Sequence, residues 1–129
     1  MEHLSDNSEE AEMGNYRVNE NPSKGMVFWR NMETNFAENV MGFNTGTANI
    51  AGSIWNNNAT WQKPRLIPYM ESHDEERIMY KALNNGNNSQ ANHNVRTVPI
   101  ATDRVKAAAA MATLSAGPKM IWQFGEMGF

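Results

Sequence analysis

The most concentrated group of chemically capable side chains occupies residues 71–77, with the sequence Glu-Ser-His-Asp-Glu-Glu-Arg. It follows a short apolar segment that ends near Met70. An adjacent His and Asp, here His73 and Asp74, can orient a substrate and place negative charge beside a developing cation. Carboxyl groups also serve as general acids and bases where burial shifts their pKa. A helix N-terminus is a second interpretation, because capping and the helix dipole favour Ser, Asp and Glu there.

Other kinds of site have less support in the sequence. The chain has no cysteine, which excludes a thiolate nucleophile, a disulfide and a Cys-based zinc site. It also lacks the Gly-x-Ser-x-Gly elbow and the glycine-rich phosphate loop. His3, His73 and His93 are far apart along the chain, so we predict no metal ligands. The tryptophans either stack on sugar rings or bases or pack in the core; they are Trp29, Trp55, Trp61 and Trp122.

Composition limits the classes of partner. The chain has 129 residues and a formal net charge of -3, with no basic stripe, so we expect one domain (residues 1–129) and no nucleic-acid partner. The longest apolar run, residues 107–112, is far shorter than the roughly 20 residues of a membrane span, so no membrane partner is expected. Eighteen asparagines favour turns and predict a large share of loop.

The spacing of apolar residues, and the Gly, Pro and Asn residues that end helices and strands, predict the elements that position the 71–77 cluster. We expect helices over residues 8–13, 32–42, 74–83 and 101–115, and strands over residues 26–29, 66–69 and 119–124. Asn7 or Ser8 is the predicted cap of the first helix, and the Ser72 to Glu75 spacing predicts a capping box. Short apolar strands that alternate with helices are typical of an α/β protein with a parallel sheet. Functional residues are then expected at the strands' carboxyl ends, within residues 30–33, 71–75 and 124–128.

Three segments resemble the alpha-amylase family of glycoside hydrolases. Residues 66–74 resemble the family's fourth signature, an apolar strand that ends in a His-Asp pair. Residues 107–128 resemble its final barrel strand, although the usual Gly-x-Glu ending is the adjacent pair Gly125 and Glu126 here. Residues 2–10 are similar to the strand-five region of amylase-type enzymes from Bacteroidetes-like bacteria.

The resemblance implies an α/β fold that is a partial (β/α)8 TIM barrel, approximately strands five to eight. Glu2 would end strand five, residues 26–29 would form strand six, residues 66–71 strand seven, and residues 119–124 strand eight. A complete barrel takes about 250 residues, so we expect strands one to four to precede residue 1. The chain would then be the C-terminal part of a catalytic domain.

The same resemblance assigns roles to three residues. Asp74 matches the carboxylate that stabilises the oxocarbenium-like transition state, and His73 matches the imidazole that binds the same sugar. Glu2 matches the general acid/base. The implied activity is hydrolysis of α-1,4 glucosidic bonds in starch-like or glycogen-like α-glucans, with no cofactor in this chain and calcium in the full-length enzyme. The resemblance also implies an extracellular or periplasmic location, and it leaves the oligomeric state open.

Two alternatives remain open. Ser72 replaces the family's usual Asn before the His, a departure also seen in branching enzymes, so a 1,4-alpha-glucan branching enzyme is the first alternative. The second is a non-catalytic α/β module whose Trp and Asn residues bind a carbohydrate or a protein.

We predict that the 129-residue chain alone releases no reducing sugar from starch. A retaining glycosidase needs a nucleophile about 5–5.5 Å from its acid/base, and the family carries that nucleophile on strand four. A reducing-sugar assay with an Asp74→Ala control checks this. Release above the level of that control would contradict the prediction.

Overall fold

The structure is a computed structural model that describes residue 4, residues 6–54 and residues 60–128. Its helices are α1 (Asn7–Asn15), α2 (Glu33–Met41), α3 (Ile78–Asn85) and α4 (Val98–Leu114), and its strands are β1 (Phe28–Asn31) and β2 (Leu66–Tyr69). Short 3-10 turns occupy Gly46–Ala48, Ala51–Ser53 and Gly125–Met127. None of the helices in these ranges has the length and apolar character that crossing a bilayer requires.

The two strands pair in parallel, with Phe28 opposite Leu66 and Asn31 opposite Tyr69. Helix α2 lies in the connection between them, as parallel pairing requires a crossover. The carboxyl ends of both strands therefore lie at the same edge of the sheet. That edge holds Asn31 and the start of the 71–77 cluster. The assignment of this pair to a (β/α)8 barrel stays a prediction.

The predicted third strand, residues 119–124, is wrong. These residues form no strand, although part of the segment lines a cavity together with Pro68 and Met70 beside β2. The parallel register turns the Pro68 nitrogen toward the free edge of β2, where proline has no N–H to donate to a further strand. Phe124 has a left-handed backbone (φ 66°), which no β-strand residue adopts, and it directly precedes the last 3-10 turn.

The helix boundaries also differ from the prediction. Helix α1 is capped by Asp6, which precedes both predicted caps, and the hydroxyl and amide of Ser8 and the amide of Glu9 lower the Asp6 pKa through hydrogen bonds. Helix α3 begins at Ile78, four residues after the predicted start. Helix α4 begins at Val98. Pro99 fits in its first turn because a backbone N–H at that position would have no acceptor within the helix.

Two apolar clusters hold the elements together. The larger lies among α2, α3 and α4 and includes Phe36, Val40, Ile78, Ala82 and Ala101. The smaller joins α1 to the sheet through Ala11, Phe28, Trp61 and Leu66, and the ring of Trp61 meets that of Phe28 edge-on at 6.1 Å. Trp61 is therefore a core residue.

We predict that Phe36→Ala lowers the free energy of unfolding by about 3–5 kcal/mol, because it leaves a cavity in the larger cluster. Phe36 is 1% exposed, whereas the aromatic residue Tyr80 on α3 is 54% exposed and provides the matched Tyr80→Ala control. Urea denaturation followed by circular dichroism measures both variants. Equal losses in the two variants would contradict the assigned core.

Candidate active site

The predicted pair His73 and Asp74 lies in the bend that follows β2, at the carboxyl edge of the sheet. The imidazole Nε2 is 3.5 Å from an Asp74 carboxylate oxygen. Both side chains are open to solvent, 55% and 69% exposed. The structure thus places an exposed imidazole beside an exposed carboxylate at the carboxyl edge of the parallel strand pair.

Helix capping does not account for these two residues. The cap position of α3 is Arg77, which makes no side-chain cap hydrogen bond. The first backbone N–H of the helix, that of Ile78, donates instead to the carboxylate of Glu71 at 2.6 Å. His73 and Asp74 therefore precede the helix and do not cap its N-terminus.

Glu71 is the buried carboxylate of the cluster, with a side chain only 9% exposed. One of its oxygens accepts the Ile78 amide, and the other is 3.3 Å from the Arg77 guanidinium. Arg77 also donates to the backbone oxygen of Gln123 at 2.8 Å. This chain of contacts holds the C-terminal segment against the end of β2.

The held segment brings an aromatic ring to the site. The ring of Trp122 lies 5.7 Å from that of His73 and is tilted by 41°. Trp29, in contrast, packs edge-on against Tyr69 within the sheet at 5.9 Å. Of the tryptophans predicted to be core or stacking residues, Trp122 is the one that contacts the His-Asp pair, and Trp55 lies outside the described residues.

A second polar network joins the two strand ends. The Asn31 side-chain amide donates to one Glu75 carboxylate oxygen at 2.5 Å, and the Ser72 hydroxyl donates to the other at 2.5 Å. The sequence predicted functional residues within 30–33 and 71–75, but it did not connect Asn31 with Glu75. Their separation of 44 positions gives no local signal for this contact.

The sequence also predicted a role for Glu2 and made predictions about metal binding. Glu2 lies outside the described residues, so its acid/base role stays a prediction. Within the described ranges, no group of three or more His, Asp or Glu residues is arranged to hold a metal ion. Calcium in a longer protein stays a prediction as well.

An apolar cavity of about 80 Å³ lies beside the site, between β2, α4 and residues 119–126. Pockets for small molecules are usually about 300–1,000 Å³, so this cavity does not accommodate an oligosaccharide. An oligosaccharide bound at this site would therefore lie on the exposed face of His73, Asp74 and Trp122 and not inside the cavity.

No protein-family model matches the chain, and no curated protein matches it. Any function is therefore proposed from the site itself and from the motifs that it contains.

We predict that Arg77→Met releases residues 119–127, because it removes the donor that holds Gln123 and leaves Glu71 less well paired. Hydrogen bonds to charged groups contribute about 1.5–3 kcal/mol each, so exchange of the hydrogen-bonded amides of Gly125 and Met127 should accelerate at least tenfold. Arg17→Met removes an exposed pair with Glu20 and is the matched control. Unchanged exchange at residues 119–127 in Arg77→Met would contradict the role assigned to Arg77.

Proposed function

We propose that the chain carries part of the active site of a retaining α-glucan hydrolase of alpha-amylase type. In this proposal Asp74 stabilises the transition state and His73 binds the reacting sugar. The observation that carries it is the exposed His73–Asp74 pair at the carboxyl edge of a parallel strand pair, with Trp122 against the imidazole.

The chemistry of glycoside cleavage suits these groups. The transition state resembles an oxocarbenium ion, so a nearby carboxylate stabilises it by charge. The Asp74 carboxylate is 69% exposed and can approach a bound sugar. A histidine ring nitrogen can hydrogen-bond a sugar hydroxyl, and the apolar face of a tryptophan can pack on a sugar ring.

The proposal needs two further carboxylates. Glu2 would be the general acid/base, and the nucleophile would come from a strand outside residues 1–129. The two must lie about 5–5.5 Å apart for a retaining mechanism. The proposed enzyme is therefore a longer protein that contains this chain, with starch-like or glycogen-like polymers as substrates.

Branching is the second candidate because of Ser72, which stands before His73 and is 3% exposed. Serine has no side-chain amide, and the Ser72 hydroxyl donates to Glu75, so this position lacks the donor that an Asn would offer to the substrate. Product analysis of the longer protein separates the two reactions. Shorter α-1,4 chains support hydrolysis, and new α-1,6 links support glucan transfer. A non-catalytic module would bind glucan at the same face and produce neither change.

We predict that maltoheptaose binds the chain at the face of His73, Asp74 and Trp122. In a two-dimensional NMR titration, the amides of these residues and the Trp122 indole should shift. Asp74→Asn should weaken binding about tenfold, because it removes a charged hydrogen-bond acceptor. Asp103→Asn on α4 is the matched control, since the Asp103 side chain is 75% exposed and lies on another element.

Two results would contradict this function. One is the absence of any shift at the three residues at millimolar maltoheptaose. The other is an equal response to cellohexaose, whose β-1,4 links an α-glucan site should discriminate against.

A further inference from the structure

We infer that Glu75 is a positioning residue for the His73–Asp74 pair and that it acts through the Ser72 hydroxyl and the Asn31 side chain. The inference deepens the proposed function and rests on it for the identity of the ligand. Glu75 itself is not placed in contact with the sugar.

Hydrogen bonds connect Asp74 to Ser72, Ser72 to Glu75 and Glu75 to Asn31, and we call this series the relay. It begins at the backbone of Asp74. Its N–H donates to the Ser72 Oγ at 3.3 Å, which closes a tight turn around His73. The same hydroxyl donates its own hydrogen to a Glu75 carboxylate oxygen at 2.5 Å. Ser72 is 3% exposed, so water has little access to replace either partner.

The relay ends on the neighbouring strand. The second Glu75 oxygen accepts from the Asn31 side-chain amide at 2.5 Å, and Asn31 is the last residue of β1. The Asn31 side-chain oxygen in turn accepts the Glu33 amide at 2.9 Å, at the start of α2. The Asp74 backbone is thereby tied to β1 as well as to β2.

A carboxylate suits the middle position because it accepts hydrogen bonds on both oxygens. Both of its partners, the Ser72 hydroxyl and the Asn31 amide, donate hydrogen bonds to it, so Glu75 must accept on both oxygens. A Gln at this position offers one acceptor and one donor group. With Gln, Oε1 can accept from Asn31, but Nε2 then faces Ser72 and donates to its Oγ, so the Ser72 hydroxyl hydrogen loses its acceptor.

Positioning matters at this site because the pair is exposed. A His-Asp bend that is free to move would lose conformational entropy when a sugar binds, and a bend that is already held would not. Glu75 therefore affects glucan affinity without touching the glucan.

The experiment compares Glu75→Ala with Glu76→Ala, which removes the same charge from an exposed neighbouring position. Hydrogen exchange of the Asp74 amide should accelerate about tenfold in Glu75→Ala and remain unchanged in Glu76→Ala. Glu75→Gln should be intermediate and also serves where Glu75→Ala fails to fold. Ser72→Ala combined with Glu75→Ala should add little beyond either single variant, since both break one relay.

The maltoheptaose titration supplies the second readout. The affinity should fall several-fold in Glu75→Ala but not in Glu76→Ala, with equal melting temperatures. An Asp74 amide that exchanges at the wild-type rate in both Glu75 variants overturns the inference, as does full additivity of the double variant. If the amide responds but the wild-type chain binds no maltoheptaose, the relay stands and the proposed function fails.

Discussion

The structure around the site depends on the groups that donate hydrogen bonds to the buried Glu71 carboxylate. A charged group that is nine-tenths buried is strongly unfavourable unless it is paired and hydrogen-bonded. Glu71 meets that requirement with the Ile78 amide on one oxygen and Arg77 on the other. A Cβ atom at Gly125 would lie 2.8 Å from the second oxygen, so a larger residue there would displace the carboxylate or the last segment. The end of β2, the start of α3 and the C-terminal segment therefore meet at one carboxylate.

The same principle recurs at two other buried carboxylates. Glu10 of α1 pairs with Arg30 of β1 at 2.9 Å, and Glu33 of α2 pairs with Lys81 of α3 at 2.5 Å. Each pair joins two different elements, as Glu71 does. The part of the chain that the structure describes has two four-residue strands to form a sheet, and these ion pairs join helices and strands that a larger sheet would otherwise hold together.

Local signals located most elements, and non-local contacts explain where they failed. The apolar runs predicted the bounds of both paired strands to within two residues. The apolar spacing and Gly42 predicted the bounds of α2 to within one residue. The Ser72 to Glu75 spacing predicted a capping box, and the two side chains do bond, but they close a turn because Glu71 starts the helix later. Residues 119–124 have the composition of a strand. The neighbouring edge of β2 lacks a donor at Pro68, which the segment's own sequence does not reveal.

The candidate site shows the same division. The His-Asp pair was predictable because its chemistry is contained in two adjacent residues, whereas Asn31 and Trp122 join it only through tertiary contacts. Within the 71–77 cluster, Glu71, Ser72, Glu75 and Arg77 all make contacts that hold the fold, while His73 and Asp74 are the exposed residues between them. A bend whose flanking residues are tied to two strands and a helix has already lost much of its conformational freedom, and this is the condition under which two exposed side chains can bind a ligand in one defined geometry.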